Sequence, residues 1–150
     1  MRLLEVPIER RWNYKNLLLL ADPEEQAVQK YLFEGDMYVL QVDGQDVCEA
    51  VICRTAPSEC ELMNLATRED MQGRGYASTL AHLLMKQYSE TCSIMRVGTS
   101  EDGRAFYRRL GFQDELIRKN FFLDNYEHPI FENGRQCTDM YCLKVDISNG

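Results

Sequence analysis

The sequence contains no long hydrophobic run. Its longest purely apolar stretch, residues 17–21, is far too short to cross a bilayer as a helix, so no membrane partner is expected. Its opening, Met1 to Pro7, holds neither an apolar signal core nor a small-residue cleavage site, and the expected location is the cytoplasm. Histidine is scarce: His82 and His128 are the only two. None of the six cysteines (Cys48, Cys53, Cys60, Cys92, Cys137, Cys142) forms a CxxC pair, so a zinc site has few ligands to draw on. The cysteines read as reduced, small core hydrophobes, and no metal is expected. Positive charge is in deficit as well. A net charge of -7 repels phosphate backbones, so nucleic acid is not an expected partner; the same balance favours a cationic substrate.

What is present is an ordinary globular composition. Hydrophobic residues make up 45% and charged residues 27%, enough apolar material over 150 residues for one domain, 1–150, with its own core. No repeat, low-complexity tract or linker divides it. Residues 2–6 read as a strand ended by Pro7, and 8–20 as a helix with Trp12 and Leu19 among its apolar positions. Asp22-Pro23-Glu24-Glu25 reads as the next helix start, Asp22 capping, Pro23 in the first turn, and Gly35 as its stop. From Asp36 the period changes to two. Tyr38, Leu40 and Val42 alternate, Asp43-Gly44 marks a hairpin, 47–54 resumes as a strand, and Pro57-Ser58 turns into a third strand over 60–67. Residues 72–88 carry Tyr76, Leu80, Leu83, Leu84 and Tyr88 at helical spacing. A strand over 93–99, a helix over 102–110, and two long strands over 112–123 and 136–145 complete a mixed α/β domain. Residues 125–135 form a turn-rich loop.

The most informative segment joins the third meander strand to the helix that follows: Leu65-Ala66-Thr67-Arg68-Glu69-Asp70-Met71-Gln72-Gly73-Arg74-Gly75-Tyr76-Ala77. The free N–H groups of a first helical turn point outward at the positive end of the dipole. Gly73 and Gly75 keep side chains out of the way, and Arg74 adds a guanidinium. The turn suits a pyrophosphate; a glycine-containing helix start with no ligand is the competing reading. There is no Gly-Lys-Ser/Thr, and Ser78 stands where a dinucleotide fingerprint needs its third glycine, which weakens a nucleotide-binding module.

Gln72-x-x-Gly75-x-Ala77 resembles the Q/R-x-x-G-x-G/A signature of the GNAT superfamily of N-acetyltransferases. Phe106-Tyr107-Arg108-Arg109-Leu110-Gly111-Phe112 resembles that family's F-Y-x-x-x-G-F segment, in order and at suitable distance. The resemblance covers about residues 36–112. It implies the acyl-CoA N-acyltransferase fold, a central, mostly antiparallel sheet of about seven strands flanked by about four helices, with acetyl-CoA as cosubstrate. By that resemblance Gln72, Gly73, Arg74, Gly75, Tyr76 and Ala77 form the pyrophosphate site, mostly through main-chain amides; Arg74 may equally be read as a solvated side chain. Leu65, Ala66 and Thr67 match the strand segment that splays from its neighbour to pair with the pantetheine arm, where a backbone N–H also holds the acetyl carbonyl.

Tyr107 matches the tyrosine that in many members protonates the departing thiolate, against the alternative of plain packing between helix and sheet. Its ordinary pKa of ~10 makes it a neutral donor at pH 7. Glu61, eleven positions before Gln72, matches the catalytic glutamate of the histone-acetylating branch; a solvated strand-edge glutamate is the other reading. Ser100 replaces an asparagine common seven residues before the tyrosine, so Thr99 and Ser100 enter as cofactor contacts. Segment 125–134, with His128, resembles one found in a subset of bacterial members and is read as gripping the acceptor amine or simply joining two strands. The implied activity is acetyl transfer to an amine-bearing acceptor, in the first place a small molecule. An acyl-CoA-binding regulatory domain is the alternative, with Tyr107 and Glu61 favouring catalysis. A homodimer through the long terminal strands is a further expectation.

Overall fold

The computed structural model describes residues 1–148. It opens with β1 (Arg2–Glu5), a 3-10 turn over Ile8–Tyr14 and two short helices, α1 (Lys15–Ala21) and α2 (Glu25–Leu32). The meander follows as β2 (Asp36–Val42), β3 (Gln45–Ala56) and β4 (Glu59–Thr67), then α3 (Tyr76–Tyr88), β5 (Ile94–Thr99), α4 (Glu101–Arg109) and β6 (Gln113–Arg118). The end of the chain supplies α5 (Phe121–Asn125), a small ribbon of β7 (Phe131–Glu132) and β8 (Arg135–Gln136), and β9 (Met140–Asp146). Seven strands form one sheet in the order β1-β2-β3-β4-β5-β9-β6, antiparallel throughout except where β4 meets β5. The expected sheet and its four flanking helices are present.

Two cores sandwich the sheet. On one face Leu80, Ala81, Leu84 and Tyr88 of α3 and Tyr107 of α4 pack on Tyr38, Leu40, Val47, Ala50 and Ile52. On the other, Leu18, Val28, Tyr31 and Leu32 of α1 and α2 cover Met37, Val39 and Val51. The first expected helix differs in kind. Residues 8–14 wind as a 3-10 turn, because Arg11 lies buried in it and donates to the carbonyls of Val6, Leu32 and Gly35, holding β1 against the end of α2. Gly35 is required there for space: a Cβ would come within 2.4 Å of the Ile52 carbonyl oxygen.

Several boundaries move. α2 starts at Glu25, and Asp22 does not cap it, because its carboxyl is taken by two tyrosine hydroxyls. α3 begins at Tyr76, since Gly75 stands in the left-handed conformation at its cap, and Leu83 faces outward, 38% exposed. The strand expected over 112–123 stops at Arg118. Asn120 adopts a left-handed φ of 57°, its N–H bonds to the Asp139 carboxylate, and Phe121 and Phe122 enter α5. The strand expected over 136–145 begins only at Met140. β9 lies between β5 and β6, so the last strand has no free edge to offer a second copy; β1 and β6 are the sheet edges. No helix among the described residues is long and apolar enough to cross a membrane.

One buried residue is out of character. Glu49 on β3 is fully buried, and neither carboxyl oxygen has a hydrogen-bond partner. Glu49 sits opposite Ala66 and Asn64 opposite Val51, so Glu49 and Asn64 share a sheet face, and Asn64 Oδ1 is likewise buried without a partner. Burial pushes the Glu49 carboxyl well above the usual carboxylate range, opposed only by the nearby Ala66 backbone N–H, and so favours its neutral form. The native chain then binds more protons than the unfolded one above the ordinary carboxylate range, and stability falls as pH rises through that window. A Glu49→Gln protein, whose amide needs no proton, should gain on the order of 1 kcal/mol in urea unfolding at pH 7.5. The gain should vanish by about pH 4.5; an equal gain at both pH values would show that Glu49 is not the titrating group.

Candidate active site

The site grows from a place where two strands part. β4 and β5 pair in parallel from Glu59 opposite Ile94 to Leu62 opposite Val97, and no further. β4 nevertheless runs on to Thr67 and β5 to Thr99. Along residues 63–67 the β5-facing edge of the backbone therefore has no ladder partner, and a gap opens between the strand ends. A bulge marks its start: Ile52 pairs with Leu62 and Val51 with Asn64, leaving Met63 as an extra residue that bends the strand.

A cleft of about 690 Å³ occupies this gap. Of the residues singled out from sequence, Glu61, Leu65, Ala77, Thr99, Ser100 and Tyr107 line it. Leu65, Ala66, Thr67 and Gln72 line a smaller recess of about 190 Å³ next to it. Gly73, Arg74 and Gly75 line neither cavity and stand exposed in the turn before α3, and Tyr76 is half-buried against the core. The structure thus brings Glu61, Leu65, Ala66, Thr67, Gln72, Ala77, Thr99, Ser100 and Tyr107 to two adjoining cavities, with residues 73–76 leading into α3 outside them.

Local conformation explains the glycines. Gly73 has φ 79° and Gly75 φ 82°, a region that L side chains rarely adopt. No side chain caps α3, whose first turn leaves its N–H groups open at the positive end of the dipole. The Gln72 side chain donates to the Thr67 carbonyl at 3.1 Å, closing the loop back onto β4. It therefore shapes the loop rather than reaching outward. A Cβ built on either glycine meets nothing within 4 Å, so the space in front of the turn is open. An uncapped turn of this kind fits a diphosphate.

Tyr107 is buried on the inner face of α4, its ring edge-on to Phe106 at 5.0 Å and to Phe112 at 5.5 Å. Burial, with no side-chain hydrogen bond to oppose it, holds its hydroxyl above the ordinary tyrosine range and so protonated at neutral pH. Glu61 is half-buried at the other side of the gap. Burial pushes its carboxyl up, while Arg118 and Arg96 pull it down. Ser100 has a structural task as well: its hydroxyl accepts the Gly103 N–H as the cap of α4 and donates to Glu132 Oε2 at 2.6 Å.

Sequence reasoning missed part of the cleft. Asp22, Tyr31 and Asn64 line it too; of segment 125–134, Asn125, Tyr126, Ile130 and Glu132 reach it, whereas His128 is exposed outside it and His82 is exposed on α3. Asn64 Nδ2 donates to the Leu18 carbonyl at 3.1 Å and to the Tyr31 hydroxyl at 3.0 Å, tying the bulge to α1 and α2. The sequence signal for Asn64 was a polar residue set between the apolar Leu62, Met63, Leu65 and Ala66. Among the described residues no group of three or more His, Cys, Asp or Glu side chains is placed to hold a metal ion.

Comparison with known proteins agrees with this architecture. A family model described as an acetyltransferase (GNAT) domain matches residues 34–114. An uncharacterized N-acetyltransferase, YvbK of Bacillus subtilis (strain 168), is 33% identical over 136 residues, covering 88% of each chain. The crystal structure of a GNAT family acetyltransferase from Elizabethkingia anophelis with acetyl-CoA bound superposes with a TM-score of 0.89 at 30% identity, covering 97% of both chains. An IAA acetyltransferase from Bacillus cereus ATCC 14579 gives a TM-score of 0.89 at 32% identity, covering 97% of this chain and 98% of that one. With its split sheet and glycine-opened α3, the chain belongs to the GNAT family of acetyltransferases.

Proposed function

We propose that the protein moves the acetyl group of acetyl-CoA directly onto the nitrogen of a small-molecule amine, with Tyr107 as general acid and Glu61 as general base. The observation that carries this reading is the parting of β4 from β5 beyond Leu62 and Val97. On one side it faces the open first turn of α3, and on the other it widens into a cleft of about 690 Å³, within the size range of small-molecule sites. Main-chain N–H groups of residues 73–77 hold the pyrophosphate, and the unpaired backbone of 63–67 takes the pantetheine arm. Bound acetyl-CoA supplies an acetyl group already activated as a thioester. An N–H freed near the Met63 bulge donates to the carbonyl oxygen, where negative charge grows during attack.

Glu61 takes a proton from the incoming ammonium, which at an ordinary pKa near ~10.4 is otherwise not nucleophilic at pH 7. Tyr107, kept neutral by burial, gives its proton to the departing thiolate. The first test is calorimetry with acetyl-CoA, followed by thiol release against a panel of amines. A folded protein with no saturable affinity for either acetyl-CoA or CoA sinks the proposal.

Glu61 carries its own pH signature. Its raised pKa places the acidic limb of kcat/KM above the ordinary carboxylate range, with activity rising as the carboxyl ionises. Glu61→Gln should remove that limb and lower kcat/KM by about 10²-fold. A variant with the same limb as the parent would assign the limb to another group.

A further inference from the structure

The acceptor end of the cleft is built around Asp22, in the turn between α1 and α2. Its carboxyl oxygens each accept one tyrosine hydroxyl, Oδ2 from Tyr31 and Oδ1 from Tyr126, both at 2.9 Å. Tyr31 belongs to α2 and Tyr126 follows α5, so the carboxyl is held from two parts of the chain. The Tyr31 hydroxyl accepts from Asn64 Nδ2, which connects Asp22 to the bulged strand beside the split. A second strut, from the Glu127 N–H to Glu24 Oε2 at 3.0 Å, fixes the same two segments.

Three features of this carboxyl and its surroundings point to a ligand. It is largely withdrawn from solvent and lines the cleft, yet no cation of the protein pairs with it among the described residues. A carboxylate has about four lone-pair directions; the tyrosines take two and the Glu24 backbone N–H a third, which leaves one for a ligand. Its surroundings are also aromatic. Tyr126 forms a cluster with Phe121 and Phe122, with ring centroids 5.5 to 6.4 Å apart, and all three rings line the cleft. The charged lining is lopsided as well: Asp22, Glu34, Glu61 and Glu132 against Lys30 alone.

A partly desolvated carboxylate in an aromatic-lined cleft recognises an alkylammonium by charge-assisted hydrogen bonds, with cation–π attraction from the rings. The same rings cover an apolar body attached to it. We infer that Asp22 is the anchoring carboxylate of the acceptor site, and that the acceptor is a primary amine that enters as an ammonium ion and carries an apolar or aromatic body. This rests on the acetyl-transfer reading and names the substrate class of that same cleft. A free carboxylate on the acceptor is disfavoured, because it would meet four like charges.

The test pairs binding with turnover. 2-Phenylethylamine is titrated by calorimetry into the CoA-bound protein, beside ethanolamine, which has the ammonium without the body, and phenylalanine, which adds a carboxylate. 2-Phenylethylamine should bind at least ten-fold more tightly than either, and its KM in thiol release should be lower by a similar factor. Asp22→Asn should weaken its binding ten-fold or more with the Kd for acetyl-CoA unchanged, and Asp22→Glu should recover part of the loss. Should the Asn variant unfold, Tyr126→Phe, which removes one hydroxyl from the carboxyl, takes its place with an expected loss of several-fold. Equal affinity for the three ligands, or unchanged affinity in the Asp22 variants, overturns the assignment. Binding that depends on Asp22 without thiol release from any amine overturns the catalytic reading instead and leaves the anchor standing.

Discussion

Replacing Tyr107 by Phe should lower kcat by about 10²- to 10⁴-fold, the range a positioned general acid contributes. The structure makes this substitution unusually clean. The ring is held by edge contacts to Phe106 and Phe112, which Phe keeps, and no side-chain hydrogen bond to its hydroxyl is lost. Thermal stability and the Kd for acetyl-CoA should therefore stay near parental values while turnover collapses. The leaving group separates the roles further. Loss of the acid should be least damaging with a thioester whose thiol has a low pKa, because such a leaving group needs little protonation. An acetyl-thioester series across leaving-group pKa, run with both proteins, measures this; a Tyr107→Phe protein with full turnover would remove Tyr107 from the chemistry and leave it as core packing.

The second large effect is expected at Gly75. A β-branched residue there must adopt φ near 82°, a conformation that costs an L residue roughly 1–2 kcal/mol. Its Cβ meets no protein atom within 4 Å, so nothing inside the fold resists it sterically. Gly75→Val should thus cost the fold little more than that strain. It should weaken acetyl-CoA binding by about 10²-fold or more, by turning the first amides of α3 and filling the open space before them. Calorimetry with acetyl-CoA, read beside a urea melt, distinguishes the two contributions. A protein destabilised by the strain but binding acetyl-CoA normally would move the diphosphate site elsewhere. Gly73→Val, with φ 79°, should behave alike.

Much of this was legible along the chain because the causes are local. A glycine at a helix start announces a left-handed residue, a 3.6-residue stripe of Leu80, Leu84 and Tyr88 announces a face packed on a sheet, and Asp43-Gly44 announces a hairpin. Each signal is carried by residues within a turn or two of one another. The two motifs add order and spacing, so the sheet type, the helix opening onto the cleft and the placement of Tyr107 beside it were within reach of sequence.

Tertiary structure alone decided the rest. Strand pairing depends on partners far apart in the chain, so neither the parting of β4 from β5 after Leu62 nor the insertion of β9 between β5 and β6 leaves a local trace. Asp22 shows why most plainly. Its own neighbours, Pro23 and two glutamates, spell a helix cap. Its hydrogen bonding is set instead by Tyr126, 104 residues away, whose hydroxyl reaches it only in the folded chain. Sequence fixes what each residue is able to donate or accept; which groups finally meet is determined by packing, because only burial withdraws the competing water and makes one partner the best available.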